Sequence, residues 1–304
     1  MSLSTREMLV EECNNKGIQF FEESIWTSSI LQSDLQIVRG FLTKNGYEHF
    51  DISIVRPPVN DLGMNKWKLH YDMNGQCIST NYQLVIPENS NHLKLTIGLI
   101  EINNNLELQN TTLKIINSLR IIFGVSIATE LVLINKFSID DSNGSTSSEL
   151  GFASPFHNQN LNMFPDTEDA KIRNLPVEAS IFIDKAFQQK FPHERFILLW
   201  TAFEIIINSF DWLGDKNGQK RRMYFENELG STIINNEVYR LFKDVRCQIF
   251  KEGKFPKLES MENDNWSLYA ALQLLLMEDC EPRTKFMKGY EQVLMNCSKI
   301  CTES

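Results

Sequence analysis

The sequence has few cysteines and lacks the short motifs by which many enzymes are recognised. Its six cysteines are scattered over 304 residues, which is too sparse for a disulfide scaffold and ordinary for a reducing cytoplasm. The motifs G-x-G-x-x-G, G-x-x-x-x-G-K-[ST], H-E-x-x-H, G-x-S-x-G and C-x-x-C are all missing from the chain. We therefore expect free thiols, a cytoplasmic location, no cofactor and no metal site.

Long hydrophobic runs and an excess of positive charge are missing as well. The most apolar stretch, 115–134, is interrupted by polar residues and falls short of the about 20 apolar residues that a membrane span requires. Residues 1–12 place acids on both sides of a short apolar run, unlike a secretory signal. The formal net charge of −9 disfavours general attraction to polyanions. We expect no membrane partner.

Short apolar runs, separated by clusters of Asn, Gly, Pro and Ser, fill the first half of the chain. Several alternate apolar and polar residues, which predicts an antiparallel sheet with one buried face. A helix is expected over 110–123 and a later strand over 130–137. The strands predicted before these are 18–21, 50–55, 67–71, 82–86 and 93–102.

The spacing of apolar residues becomes helical after Pro176. We predict an α+β protein with a β-rich domain of unknown role over 1–150, an irregular linker over 151–175, and an all-α bundle of five or six helices over 176–304. The helices predicted from i, i+3, i+4 spacing are 177–188, 194–212, 220–229, 237–250 and 266–280.

One predicted helix contains a carboxylate in apolar surroundings. Residues 196–207 are apolar almost all round except for Glu204, and a buried carboxylate needs a cation or hydrogen-bond donors. Arg246, on a later helix, is the expected partner. On that helix Arg240 should pair with Asp244, four residues on. Its predicted core stripe is Val238, Leu241, Phe242, Val245 and Ile249.

Basic residues concentrate between Lys216 and Lys257. This stretch holds ten basic and five acidic residues, a local charge of +5 that leaves −14 for the rest of the chain. Such a strip could hold a nucleic-acid backbone while the remainder repels non-specific binding. The plainer alternative is a solvated helix face. The residues predicted to bind nucleic acid are Lys216, Lys220, Arg221, Arg222, Lys243 and Lys254.

A family resemblance appears at these residues. Leu199-Trp-Thr-Ala-Phe-Glu204, followed by residues 238–253, resembles the HEPN superfamily, in particular its ApeA-like group of bacterial proteins. Residues 116–123 are similar to the segment that precedes the domain in such proteins. The resemblance covers about residues 176–295. It implies a helical bundle that dimerises, with metal-independent endoribonuclease activity in active members, and a setting in bacterial defence or toxin-type systems.

The family signature is an arginine followed four to six residues later by a histidine. By position, Arg246 matches the arginine, Cys247 replaces the usual Asn or Asp, and Lys251 stands in place of the histidine, with Gly253 close behind. The resemblance therefore implies Arg246 and Lys251 as catalytic residues, supported by Glu204. No histidine follows His193 in the chain.

The missing histidine limits the chemistry that the resemblance implies. In the family reaction a 2′-hydroxyl attacks the adjacent phosphate, and histidine and arginine of two protomers share proton transfer and charge stabilisation. Histidine, with an ordinary pKa of about 6.5, changes protonation near neutral pH, whereas lysine, at about 10.4, stays charged. A lysine can still act as a fixed cation toward phosphate.

Three functional hypotheses follow. The first is a HEPN-like homodimer that has lost strong ribonuclease chemistry and retains binding of RNA or a protein partner. The second is an active, metal-independent endoribonuclease that uses Arg246 with Lys251 as electrophile or acid. The third is a non-catalytic protein-interaction module. The plainer alternatives are that Arg246 and Glu204 form only a structural pair, and that Lys251 only complements the dipole of its helix.

Overall fold

The computed structural model describes residue 15 and residues 17–55, 65–71, 77–83, 91–100, 107–138, 147–150, 169–189, 191–213 and 217–303. Contacts divide the chain into two units. Unit 1 comprises 1–39, 47–112 and 123–163, and unit 2 comprises 40–46, 113–122 and 164–304. Helices and strands are both present, so the predicted α+β class is confirmed. The bounds 1–150, 151–175 and 176–304 stay a prediction.

The strands are β1 (Phe20–Ser28), β2 (Phe50–Val55), β3 (Asn65–Tyr71), β4 (Cys77–Gln83), β5 (Asn91–Leu99), β6 (Leu131–Ser138) and β7 (Ser147–Leu150). Five of them form a sheet in the order β2-β5-β1-β6-β7, and β3 pairs with β4 separately. Every pairing between these strands is antiparallel. The antiparallel arrangement predicted from the alternating pattern is thus confirmed.

Strand β1 lies at the centre of the larger sheet and is buried on both faces. Glu22 and Ser24 are buried on one face, and Ile25 is buried on the other. The prediction of one buried face is therefore wrong for β1, because a central strand can be covered on both sides. It is right for β5, where Leu93 and Leu95 are buried and the residue between them is partly exposed.

The helices are α1 (Leu35–Lys44), α2 (Glu107–Phe123), α3 (Val177–Gln188), α4 (Pro192–Asn208), α5 (Asn217–Arg222), α6 (Thr232–Arg240), α7 (Leu258–Leu276) and α8 (Glu281–Glu303). Helix α3 has the predicted bounds, whereas α1 and α8 were not among the predicted helices. The sequence explains two of the helix starts. Pro192 occupies the first turn of α4, where its missing N–H costs nothing, and the Ser231 hydroxyl accepts the Ile234 N–H at α6.

The backbone of unit 2 leaves α geometry in three places. Met223–Glu228 continues α5 as a π-helix, Leu241–Arg246 continues α6 in the same way, and Gln248–Glu252 follows after one residue. Hydrogen bonds in π-helices span five residues, and such segments are rare and frequent at functional sites. The helix predicted over 237–250 is therefore α-helical only up to Arg240.

Part of the predicted linker is built into unit 2. Ile172 forms an antiparallel bridge with Met277, and the Glu278 N–H donates to the Lys171 carbonyl over 2.8 Å. Ala170 is fully buried. Residues 169–176 are thus irregular apart from this bridge, and they are held against unit 2 by it and by these hydrogen bonds.

The segment 116–123, within α2, docks on other helices of unit 2 through buried polar groups. The Asn117 amide donates to the Ser180 carbonyl over 2.8 Å, and the Tyr269 hydroxyl donates to the Arg120 carbonyl over 2.6 Å. Arg120 itself is fully buried and pairs with Asp184. These contacts give the segment a structural role.

Candidate nucleic-acid interface

The predicted pairing of Arg246 with Glu204 is present and is weak by its geometry. Nη2 of Arg246 lies 3.4 Å from Oε1 of Glu204, whereas Nε1 of Trp200 donates to the same oxygen over 2.8 Å. Strong charge-assisted hydrogen bonds are nearer 2.8 Å. The Glu204 side chain is 35% exposed, so the expectation that it is buried in the bundle is wrong. Glu204 therefore contacts Arg246 but does not hold its guanidinium by a short, strong ion pair.

Aromatic rings, more than carboxylates, surround Arg246 and a second arginine. The guanidinium carbon of Arg246 lies 5.7 Å from the ring centre of Phe242 and 5.2 Å from that of Phe250. That of Arg221 lies 5.0 Å from Tyr239 and 5.6 Å from Phe242. These distances are typical of cation–π contacts. The order Tyr239, Arg221, Phe242, Arg246, Phe250 alternates rings and cations, and we call it the arginine–aromatic row.

The side chain of Arg221 makes no ion pair or hydrogen bond with another described residue, and its Nε atom is buried without an acceptor. Burial lowers the pKa of its guanidinium from the ordinary value, with the nearby Tyr239 acting in the opposite direction. Nε of Arg246 is likewise buried without an acceptor in the described part of the chain. Both arginines thus retain hydrogen-bonding capacity that the described residues do not use.

Arg240, the last residue of α6, shows a contrasting arrangement. Its guanidinium donates to both carboxylate oxygens of Glu237, over 2.8 and 2.7 Å, and to Asp264 over 2.7 Å. The hydrogen bonds that Arg240 donates to Glu237 raise the pKa of its guanidinium above the ordinary value. The predicted pair with Asp244 is wrong. Arg240 is thus held by two carboxylates, which gives it a structural role.

Lys251 lies in the last turn of the third π segment and is exposed. Its ammonium has no ion-pair or hydrogen-bonding partner among the described residues. Gly253 ends this segment with a left-handed φ of +63°, a conformation that glycine adopts readily. The position of Lys251 agrees with a helix-dipole role, and it also leaves the ammonium open to a ligand.

The other residues predicted to bind nucleic acid differ in their exposure and in their ion pairs. Lys220 is buried, and its ammonium donates to the Asn208 carbonyl over 3.2 Å, so it does not line a surface. Arg222 and Lys254 are exposed and form ion pairs with nearby acids, Glu226 and Glu252. Lys243 is exposed without an ion-pair partner in the described residues, and Lys216 lies outside those residues. The positive strip is therefore narrower than its composition suggested.

His193 does not supply the missing imidazole beside Arg246 within the chain. It lies eleven residues before Glu204 on α4, which corresponds to about 16 Å at the α-helical rise of about 1.5 Å per residue. Its Nε2 lies 3.0 Å from the Pro256 carbonyl oxygen, and its ring packs on Phe255. Two groups that share one phosphate must be much closer than this.

The rings of the arginine–aromatic row were missed by reasoning from sequence. Phe242 was assigned to the core stripe, whereas it is only half-buried; Val238, Leu241, Val245 and Ile249 are buried as predicted. A signal was present, because Tyr239, Phe242, Arg246 and Phe250 follow one another at i, i+3, i+7 and i+11. In an α-helix that spacing would place the four residues on one face.

Comparison of the chain with protein-family models, curated proteins and solved structures found no match. Within the described residues, no helix combines the length and apolarity needed to cross a membrane. The same residues contain no group of three or more His, Cys, Asp or Glu side chains arranged to hold a metal ion.

Proposed function

We propose that unit 2 is a HEPN-like, dimer-forming RNA-binding domain that has lost strong ribonuclease chemistry. The observation that carries this proposal is the contrast between Arg240 and the two arginines of the arginine–aromatic row. Arg240 is held by two carboxylates, whereas Arg221 and Arg246 are stacked on rings with unused donors. Arginine donors that are not matched to carboxylates are suited to phosphate oxygens.

Lys251, in place of a histidine, is the reason for the proposed loss of ribonuclease chemistry. An exposed lysine stays protonated at neutral pH, so it can stabilise phosphate charge but cannot accept a proton from a 2′-hydroxyl. His193 is too distant along α4 to take over that role within one chain. We expect binding without rapid cleavage, in the bacterial defence or toxin-type setting that the resemblance implies.

The test is binding and cleavage of a fluorescently labelled RNA by the full chain in EDTA. We expect anisotropy to show binding at low salt, with Arg246→Ala weakening it and reducing the salt slope by about 1, the effect of one lost phosphate contact. Lys288→Ala, which removes an exposed charge on α8, is the matched control and should change little.

Two results would contradict this proposal. Rapid metal-independent cleavage that disappears in Arg246→Ala would establish an active endoribonuclease instead. Undetectable RNA binding at low salt would favour the protein-interaction module.

A further inference from the structure

We propose that the outer rings of the arginine–aromatic row, Tyr239 and Phe250, stack on bases of single-stranded RNA. This inference rests on the proposed function and names its substrate class, RNA whose bases are unpaired.

The exposure of the two outer rings is the first observation. Tyr239 is 47% exposed and Phe250 is 50% exposed, although an arginine lies about 5 Å from each ring centre. Phe242, between them, is only partly exposed and packs 6.2 Å from the buried Trp200. The inner ring therefore anchors the row to the core, while the outer rings present apolar surface to solvent.

The uncompensated charge next to these rings is the second observation. Arg221 has no carboxylate partner in the described residues, and the pairing of Arg246 with Glu204 is long at 3.4 Å. Lys243 and Lys251 extend the positive charge along the same helical stretch, and both are exposed. Cations that follow a backbone, interleaved with rings that accept bases, are what single-stranded nucleic-acid sites combine.

The chemistry of RNA decides between single strands and duplexes. In a duplex the faces of the bases are covered by their neighbours, so a protein contacts mainly phosphates and 2′-hydroxyl groups. Exposed rings gain nothing from such a ligand. In a single strand each base has a free face that can stack on Tyr239 or Phe250. The row should therefore bind unpaired RNA more tightly than duplex RNA, because stacking adds to the attraction between the cations and the phosphates.

The experiment compares a short single-stranded RNA that contains 2-aminopurine with the same RNA annealed to its complement. Anisotropy gives the affinity, and quenching of 2-aminopurine reports stacking directly. The ring-removing variants are Tyr239→Ala and Phe250→Ala, and the ring-preserving variants are Tyr239→Phe and Phe250→Tyr. Phe250→Leu keeps apolar bulk without the ring. Phe191→Ala removes an exposed ring outside the row and is the control.

We expect each alanine variant to bind the single strand about tenfold more weakly or worse, the usual effect of one lost stacking ring. Phe250→Leu should weaken binding similarly. The two alanine variants and Phe250→Leu should all lose quenching of 2-aminopurine. The ring-preserving variants should retain quenching and most of the affinity, whereas Phe191→Ala, outside the row, should bind like the unmodified protein. Duplex affinity should be lower and insensitive to the rings.

If RNA binds but the alanine variants retain affinity and quenching, the stacking inference is overturned while the proposed function stands. If the unmodified protein binds no RNA, both are overturned. In that case, a change of oligomeric state in Tyr239→Ala and Phe250→Ala, measured by sedimentation, would assign the row to a protein interface.

Discussion

Nη1 of Arg120 lies 3.0 Å from Oδ1 of Asp184, and both side chains are almost completely shielded from water. Asn117 accepts a further hydrogen bond from the same nitrogen of Arg120, and Gln188 donates to the second carboxylate oxygen of Asp184 over 2.7 Å. A buried ion pair is not a large net source of stability, but removing one partner leaves the other charge buried and uncompensated. The pair therefore fixes where α2 and α3 meet.

Asp184→Ala should lower the free energy of unfolding by about 3–5 kcal/mol, because it removes the carboxylate that pairs with the buried Arg120 guanidinium over 3.0 Å. Urea denaturation of the full chain measures this change. Lys185→Ala, at the exposed neighbouring position on α3, should cost about 0.5 kcal/mol or less. Equal costs for the two variants would show that the Arg120–Asp184 pair is not a structural requirement.

Glu204→Gln should increase affinity for RNA. The amide can still accept the Trp200 N–H, so the loss of stability should be about 1 kcal/mol or less, as for partly exposed pairs. The charge that competes with phosphate for Arg246 is removed. Anisotropy at fixed salt measures the change, and adding Arg246→Ala should abolish the gain. Unchanged affinity in Glu204→Gln would mean that Arg246 does not contact the RNA.

Local periodicity was sufficient to predict much of the secondary structure. Helix α3 and strand β2 have the predicted bounds, since each is defined by its own pattern of apolar residues. The pairing of Arg246 with Glu204 was also predicted, although Glu204 is only partly buried and its shorter hydrogen bond comes from Trp200. These successes share one property: the relevant constraint can be seen within a single helix or strand or from one unmet charge.

The features that were not predictable depend on distant partners or on unusual backbone. Arg240 was expected to meet Asp244, but a π segment begins at Leu241 and changes which residues share a face. Asp264, from α7, then supplies one of its partners. Arg221 joins the row from α5, far from Arg246 in sequence. Helical spacing alone cannot reveal such contacts.

Lys251→His should raise the rate of RNA cleavage in EDTA above that of the unmodified protein. Imidazole exchanges protons near neutral pH, whereas an ordinary lysine does not, and the proposed site already contains Arg246. The expected profile has a maximum between about pH 6 and 7. Rates are measured on labelled RNA under single-turnover conditions.

Two further variants test whether such cleavage belongs to this site. Lys251→Gln removes the charge without supplying an imidazole and should not cleave. Arg246→Ala, combined with Lys251→His, should abolish the gained activity. If Lys251→His folds and binds RNA but stays inactive across this pH range, the missing histidine is not what limits catalysis.

Glu237 should make the stability of unit 2 sensitive to acid. Burial alone would raise the pKa of this carboxyl, but hydrogen bonds from Arg240 and Ser267, together with the charge of Arg240, lower it below the ordinary 4.5. The folded protein thus binds fewer protons at this site than the unfolded chain. The stabilisation is therefore present above about pH 4.5 and is lost as the pH falls through the folded-state pKa.

Urea unfolding of the native protein and of Glu237→Gln, from pH 7 to pH 3, measures this contribution. The native protein should be more stable than Glu237→Gln, and the difference in the free energy of unfolding should be largest at neutral pH. This difference should shrink below about pH 4.5, as the carboxylate takes up its proton. Asp244→Asn, on the same helix, is the control, because Asp244 is exposed and has no ion-pair partner among the described residues. A margin for Glu237→Gln that stays constant over the whole pH range would show that its charge does not stabilise the fold.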